Sequence, residues 1–177
     1  YGVSVRPGAA VRVDEDGDDL VVALADDARI ATRGIVLATG VTDALPPIPG
    51  LAERWGSTVL HCPYCHGWEV RDRTIGVLAT SSASVHQIEL LRQWSDDVVA
   101  FVHAAGPLPD EVHQRMRARG IRLVEAEVAE VVGEGTAIEH VRTTDGAQHP
   151  VDAIFTAGTL VPHDDVVAHL GLARQES

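Results

Sequence analysis

The residues best suited to chemistry are two cysteines in the run His61-Cys62-Pro63-Tyr64-Cys65-His66-Gly67. Cysteines at this spacing can close a small disulfide ring, and a proline directly after the first one favours the start of a helix. Cys62 is then expected at a helix N-terminus, where the helix dipole and a protonated His61 or His66 would stabilise a thiolate. The pattern predicts thiol–disulfide exchange.

Two other interpretations of this segment stay open. The cysteines and their flanking histidines are all metal-ligand types, but structural zinc sites draw ligand pairs from separated elements, and the sequence has no second such pair. The cysteines could also be inert members of a core. The spacing and the histidines favour redox chemistry over both, so we predict no metal site.

Composition limits the class of protein. The 177 residues are 45% hydrophobic, enough for one packed domain or one and a half. All 14 basic residues are arginine, against 26 acidic residues, and the net charge of -12 argues against nucleic acid as a partner. No apolar run approaches the ~20 residues that cross a bilayer, and no secretion signal is evident. We therefore expect a cytoplasmic protein without membrane or nucleic-acid partners.

The first fifty residues read as strands followed by a linker. The predicted strands are Val11–Val13, Leu20–Leu24, Arg29–Thr32 and Gly34–Ala38. The acidic run from Asp14 to Asp19 predicts a hairpin turn. The apolar run from Ile35 to Gly40 indicates a buried, parallel-type strand. Three prolines between Leu45 and Gly50 exclude helix and central strand, and we expect a domain boundary there.

A second unit begins near Arg73 with a βαβ pattern. A strand over Thr74–Ala79 and a strand over Val98–Val102 flank a helix over Ser84–Ser95. The helix has an apolar face formed by Val85, Ile88, Leu91 and Trp94. The later elements are a helix over Pro109–Arg119, capped by Gly120, and strands over Ile121–Val124, Glu127–Val132, Ile138–Thr143 and Val151–Phe155. The order predicts an α/β, Rossmann-like domain with a β-meander.

The order of the motifs resembles the low-molecular-weight thioredoxin reductase family. The matching motifs, in chain order, are Ala38-Thr39-Gly40, a proline-rich crossover ending Pro49-Gly50, Trp55-Gly56, the cysteine pair with Gly67, the βαβ unit, and Ala157–Pro162 as a closing strand and crossover. The resemblance implies a three-layer nucleotide-binding fold plus part of a second, FAD-binding domain. It assigns residues 1–50 to the FAD-binding domain and residues 51–160 to an NAD(P)-binding-like domain that carries the cysteine pair. Residues 161–177 would begin the return of the chain to the FAD-binding domain.

The resemblance also implies a cofactor and an oligomeric state. The complete enzyme would bind FAD, with Ala38, Thr39 and Gly40 on the flavin side, and would form a homodimer. The family's glycine-rich flavin segment does not occur in these residues, and the chain opens on Tyr1 rather than Met. We therefore expect an internal fragment that is inactive alone.

One departure from the family concerns His66, which stands where the family usually has aspartate. Cys-Pro-Tyr-Cys-His-Gly is similar to the dithiol oxidases that close disulfides in gliotoxin-like and holomycin-like metabolites. Histidine titrates near neutrality, so His66 is our candidate for accepting a proton from an incoming thiol. By resemblance, Cys62 would exchange with substrate and Cys65 would face the flavin.

Other departures concern the nucleotide. Ala79, Ser81 and Ser84 belong to a segment that replaces the expected G-x-G-x-x-G/A loop, and their side chains occupy space that a pyrophosphate needs. His103-Ala104-Ala105 stands where NADPH users carry arginines. Both argue against NAD(P)H binding.

Three functional hypotheses follow from these residues. The first is an FAD-dependent oxidase that converts a small dithiol to a disulfide with oxygen as acceptor, which needs no nicotinamide. The second is an NADPH-dependent thioredoxin reductase acting on a protein disulfide. The third is a non-catalytic nucleotide-domain module. Loss of the nucleotide motifs favours the oxidase.

Overall fold

A computed structural model of the chain describes residues 2–173, in two compact units. One unit contains the described residues up to Thr42 and those from Leu160 onward, and the other spans Asp43–Thr159. The predicted first boundary, after residue 50, lies eight residues further along than the structural one. The difference arises because Leu45 and Ile48 pack against the core of the second unit. Residues 174–177 of the predicted return segment lie outside the described residues.

The first unit contains an antiparallel sheet of β1 (Ala10–Asp16), β2 (Asp19–Leu24) and β3 (Arg29–Thr32), in that order. These strands confirm three of the four predicted near the start of the chain. The predicted hairpin is also confirmed, with Asp16 opposite Asp19. Gly17 in its turn has a φ of 64°, which glycine adopts without steric cost.

The predicted strand over Gly34–Ala38 is wrong. These residues belong to no strand or helix, and Val36 is 91% exposed. A buried parallel strand needs hydrogen-bonded neighbours, whereas the described part of this unit offers a sheet that ends at β3. The Thr32 hydroxyl donates to the Gly34 carbonyl at 3.0 Å and closes a local turn directly after that strand.

The remaining elements follow in chain order. They are β4 (Val41–Ala44), β5 (Val59–Leu60), α1 (Pro63–His66), β6 (Ile75–Leu78), α2 (Ser84–Leu91), β7 (Val98–Phe101), α3 (Asp110–Ala118), β8 (Arg122–Val124), β9 (Val128–Val132), β10 (His140–Thr143), β11 (Gln148–Pro150), β12 (Ala153–Thr156) and β13 (Thr159–Pro162). Strands β4 and β13 pair with each other.

The second unit is built on a parallel sheet of order β5-β12-β6-β7-β8. Every residue of β6, β7 and β12 is buried, as expected for strands covered on both faces. The predicted βαβ unit is confirmed as β6-α2-β7. Helix α2 ends at Leu91 rather than at Ser95, because the Ser95 hydroxyl bonds to the Arg73 carbonyl at 2.5 Å in a turn that leads into β7.

The two faces of this sheet are covered by different layers. On one side, α2 and α3 bury Ile88, Leu91 and Met116 against the sheet. On the other side, the antiparallel meander β9-β10-β11 buries Val131 and Val141. The predicted mixed α/β fold with a meander is therefore confirmed. No helix among residues 2–173 is long and apolar enough to span a bilayer.

Candidate active site

Cys62 immediately precedes a single helical turn, and Cys65 lies within that turn. Cys62 is the residue before α1 and Pro63 is the first helical residue, as predicted. The backbone N–H groups of Cys65 and His66 donate to the Cys62 carbonyl at 3.2 and 3.1 Å. A Cβ on Gly67 would collide with the Trp94 indole, so glycine allows this turn to pack closely against the unit.

The two sulfurs are chemically unequal. The Cys65 thiol donates a hydrogen bond to the Cys62 sulfur at 2.8 Å. This bond, followed by the backbone N–H groups of Cys65 and Tyr64, holds the pKa of Cys62 below its usual range. The same bond raises the pKa of Cys65, because a proton held between the sulfurs is harder to remove. Of the two sulfurs, Cys62 therefore loses its proton first as pH rises, and Cys65, which is exposed, loses its proton later.

This asymmetry predicts the order of alkylation by iodoacetamide in the reduced protein. Cys62 is expected to react first, with an inflection below the usual thiol value of about 8.5, because its thiolate forms at lower pH. In Cys65→Ala the hydrogen bond is lost and the inflection moves to higher pH. Peptide mapping of the alkylated protein across pH 5–10 measures both. Preferential labelling of Cys65 at neutral pH would contradict the prediction.

His66 is held by an acidic residue. Its Nδ1 lies 3.1 Å from the Glu69 carboxylate, three residues further along in the turn that follows α1. A proton on Nδ1 facing this carboxylate leaves Nε2 as the acceptor of the neutral ring. The His–x–x–Glu spacing was visible in the sequence, but Glu69 was not predicted. His61 is exposed, and its carbonyl accepts a bond from Gln87 Nε2 on α2 at 2.6 Å.

Exposed aromatic side chains lie within the cysteine segment and just after it in the chain. Tyr64, between the cysteines, is 70% exposed and Trp68 is 61% exposed. The Trp68 ring packs edge-to-face with Trp94 at 6.2 Å, and the Arg71 guanidinium lies 3.9 Å from its centroid. These contacts fix the ring while leaving apolar surface open to a ligand. Trp68 was not predicted from the sequence as part of the site.

Of the predicted nucleotide-loop residues, Ala79 and Ser81 lie between β6 and α2, and Ser84 is the first residue of α2. Ala79 and Ser84 are buried and Ser81 is exposed. The Ser84 hydroxyl accepts the Thr80 N–H at 3.1 Å, and the Ser84 N–H donates to the Ser81 carbonyl at 3.0 Å. Two backbone N–H groups of this segment are therefore bonded within it, whereas a phosphate-binding loop directs such groups at its ligand. These residues fit a dinucleotide poorly. Helix α2 links this loop to the cysteine pair through Gln87.

The predicted flavin-side residues Ala38, Thr39 and Gly40 lie in the first unit and are exposed. His163 fixes them, because its Nδ1 is 3.1 Å from the Thr39 carbonyl and its backbone N–H donates to the Gly40 carbonyl at 3.1 Å. Its Nε2 lies 2.6 Å from the Thr42 hydroxyl. Small exposed residues let a flat ring approach the backbone, which suits a flavin.

The cysteine segment contains four residues of metal-ligand type. Across residues 2–173, no cluster of three or more histidine, cysteine, aspartate or glutamate side chains has the arrangement of a metal site.

The chain belongs to the pyridine nucleotide-disulphide oxidoreductase family, whose model matches residues 2–177. It is similar to the thioredoxin reductase tcpT of Claviceps purpurea, with 44% identity over 73 residues, 40% of this chain and 22% of that protein. It is also similar to the thioredoxin reductase sirT of Leptosphaeria maculans, with 33% identity over 105 residues, 53% of this chain and 31% of that protein.

Among solved structures, HlmI superposes with a TM-score of 0.85 at 38% identity. The superposition covers 99% of this chain and 56% of HlmI, so the chain spans about half of that structure. These matches confirm the predicted resemblance to the thioredoxin reductase-like family, including its gliotoxin-type branch. The chain therefore belongs to the thioredoxin reductase type within this family.

Proposed function

We propose that the complete protein is an FAD-dependent thiol–disulfide oxidoreductase that oxidises a small dithiol to a disulfide, with oxygen as the electron acceptor. The proposal rests on one arrangement in the second unit. An accessible, asymmetric dithiol lies beside α2, while the loop that opens the same helix uses its Thr80 and Ser84 amides internally. The second unit therefore has the groups that thiol–disulfide exchange needs, whereas its nucleotide-type loop lacks free N–H groups at Thr80 and Ser84 for a nicotinamide dinucleotide.

The exchange steps follow from the two sulfurs. In the oxidised protein a substrate thiolate attacks Cys62, forms a substrate–Cys62 disulfide and releases Cys65 as a thiolate. The second substrate thiol, once deprotonated, attacks the substrate sulfur of this bond, closes the product disulfide and releases Cys62. Once the released Cys65 has taken up a proton, its thiol can donate to the Cys62 sulfur, and the lowered pKa that this bond gives Cys62 favours its departure in the second step. Two electrons and two protons have then left the substrate.

His66 supplies the proton acceptor. Its Nδ1 faces the Glu69 carboxylate at 3.1 Å, so Nε2 is the nitrogen that takes the proton of the substrate thiol. Trp68 and Tyr64 contribute apolar contact for the body of the substrate. Bound FAD, held in part by Ala38, Thr39 and Gly40, would accept two electrons from the pair and deliver them to oxygen. By resemblance, Cys65 is the sulfur that passes them on.

A second candidate is an NADPH-dependent reductase of a protein disulfide. The names of the similar proteins tcpT and sirT favour it, since both are described as thioredoxin reductases. The same cysteines would then work in the opposite direction, with Cys62 attacking the disulfide of the partner protein.

Anaerobic titration of the complete flavoprotein separates the two candidates. We expect a small dithiol such as dihydrolipoamide to bleach the flavin absorbance stoichiometrically. NADPH is expected to bleach it at least about 100-fold more slowly, because the loop amides are already bonded. Readmission of oxygen should restore the colour. Rapid bleaching by NADPH would instead establish the reductase, and a protein that purifies without flavin would remove the oxidase proposal.

A further inference from the structure

A cavity of about 260 Å³ lies in the second unit, at the carboxyl ends of neighbouring parallel strands. Leu78 ends β6 and Phe101 ends β7, and both form part of its wall. Open α/β sheets bind their ligands at this edge. Ile48 and Val128, which also line the cavity, pack against the core cluster that contains Leu78 and Phe101. The wall is therefore an extension of the core and is preformed.

The chemistry of the wall is apolar. Its 12 residues include no arginine or lysine, while Glu127 is an acid and His103 is the one group that can become cationic. A phosphate or carboxylate in this cavity would meet no permanent positive charge. The neighbouring loop offers no compensation through the Thr80 N–H, which is bonded to Ser84 Oγ.

The volume of the cavity limits its ligand to about one small ring system. Its volume falls below the roughly 300–1,000 Å³ of pockets that enclose drug-sized ligands. Phe101 supplies an aromatic wall, and His149 holds that ring edge-to-face at a centroid distance of 5.5 Å. A flat apolar ligand would gain both burial and ring contact there.

We propose that this cavity binds an uncharged, planar, largely apolar ring compound rather than a dinucleotide. The site differs from the cysteine pair, and ligand binding here requires no turnover. Its test is thus independent of whether the protein is a dithiol oxidase.

The test uses indole as a neutral probe and indole-3-acetate as its anionic counterpart, each followed by ligand-observed NMR on the complete protein. Indole is expected to bind and indole-3-acetate to bind at least about tenfold more weakly, because its carboxylate meets no permanent positive charge in the wall. NADPH at millimolar concentration is expected to leave the indole signal unchanged. Absence of indole binding, or displacement of indole by micromolar NADPH, would overturn the proposal.

Variants locate the bound probe. Ala104 is an exposed lining residue, and Ala104→Trp should fill the cavity mouth and weaken indole binding by about tenfold or more. Ala129→Leu, from β9, reduces the cavity from another wall and should act in the same direction. The matched control is Ala118→Trp at the exposed end of α3, which should leave binding unchanged. Equal binding in wild type and both lining variants would place indole elsewhere and overturn the proposal.

Discussion

Replacement of Cys65 by serine in the complete protein is expected to lower dithiol turnover by roughly 1,000-fold or more, because the pair can no longer close a disulfide. Cys62→Ser should have a similar effect on turnover. The two variants differ in the step that they retain. In Cys65→Ser the Cys62 sulfur remains, and the serine hydroxyl can replace the hydrogen bond that the Cys65 thiol donates at 2.8 Å.

Trapping distinguishes the roles of the two sulfurs. With cystamine at pH 7, reduced Cys65→Ser should form a mixed disulfide that persists, since no second thiol resolves it, and intact-mass spectrometry should detect the adduct. Cys62→Ser should react about tenfold more slowly, because its remaining thiol lacks the contacts that lower the pKa of Cys62. Ser82→Ala, an exposed position in the nucleotide-type loop, is the control with unchanged turnover. Full turnover by Cys65→Ser would refute the mechanism.

Arg54→Met is expected to lower the free energy of unfolding by about 3–5 kcal/mol. Arg54 is only 6% exposed, and its guanidinium donates to three backbone carbonyls. The acceptors are Ala137 at 2.9 Å, Gly50 at 2.8 Å and Gly133 at 2.6 Å. Methionine keeps much of the apolar stem but leaves these partly buried carbonyls without their donor.

Urea unfolding followed by circular dichroism measures this effect. Arg117→Met, at an exposed position on α3, is the matched control and should change the free energy of unfolding by about 0.5 kcal/mol or less. A loss below about 1 kcal/mol in Arg54→Met would show that water replaces the guanidinium at these carbonyls. The residue would then contribute little to the attachment of the proline-rich segment.

The sequence determined the features that depend on neighbouring residues. Cys62 and Cys65 share one helical turn because they are three residues apart and Pro63 starts it. The buried strands β6 and β7 were visible as short apolar runs, and the helix between them as an apolar face. The departures in the nucleotide loop were also readable, since glycine is the residue that permits close approach of the backbone to a ligand.

The tertiary structure decided what depends on distant partners. Arg54 bonds to residues 79 and 83 positions away, and nothing near it in sequence indicates burial. Residues 34–40 have the apolar composition of a buried strand, yet no neighbouring strand of the described chain pairs with them. Packing also decides that β12 lies between β5 and β6 and that the Thr80 N–H donates to the Ser84 hydroxyl. Local spacing fixes local conformation, whereas burial and hydrogen-bond partners require the assembled chain.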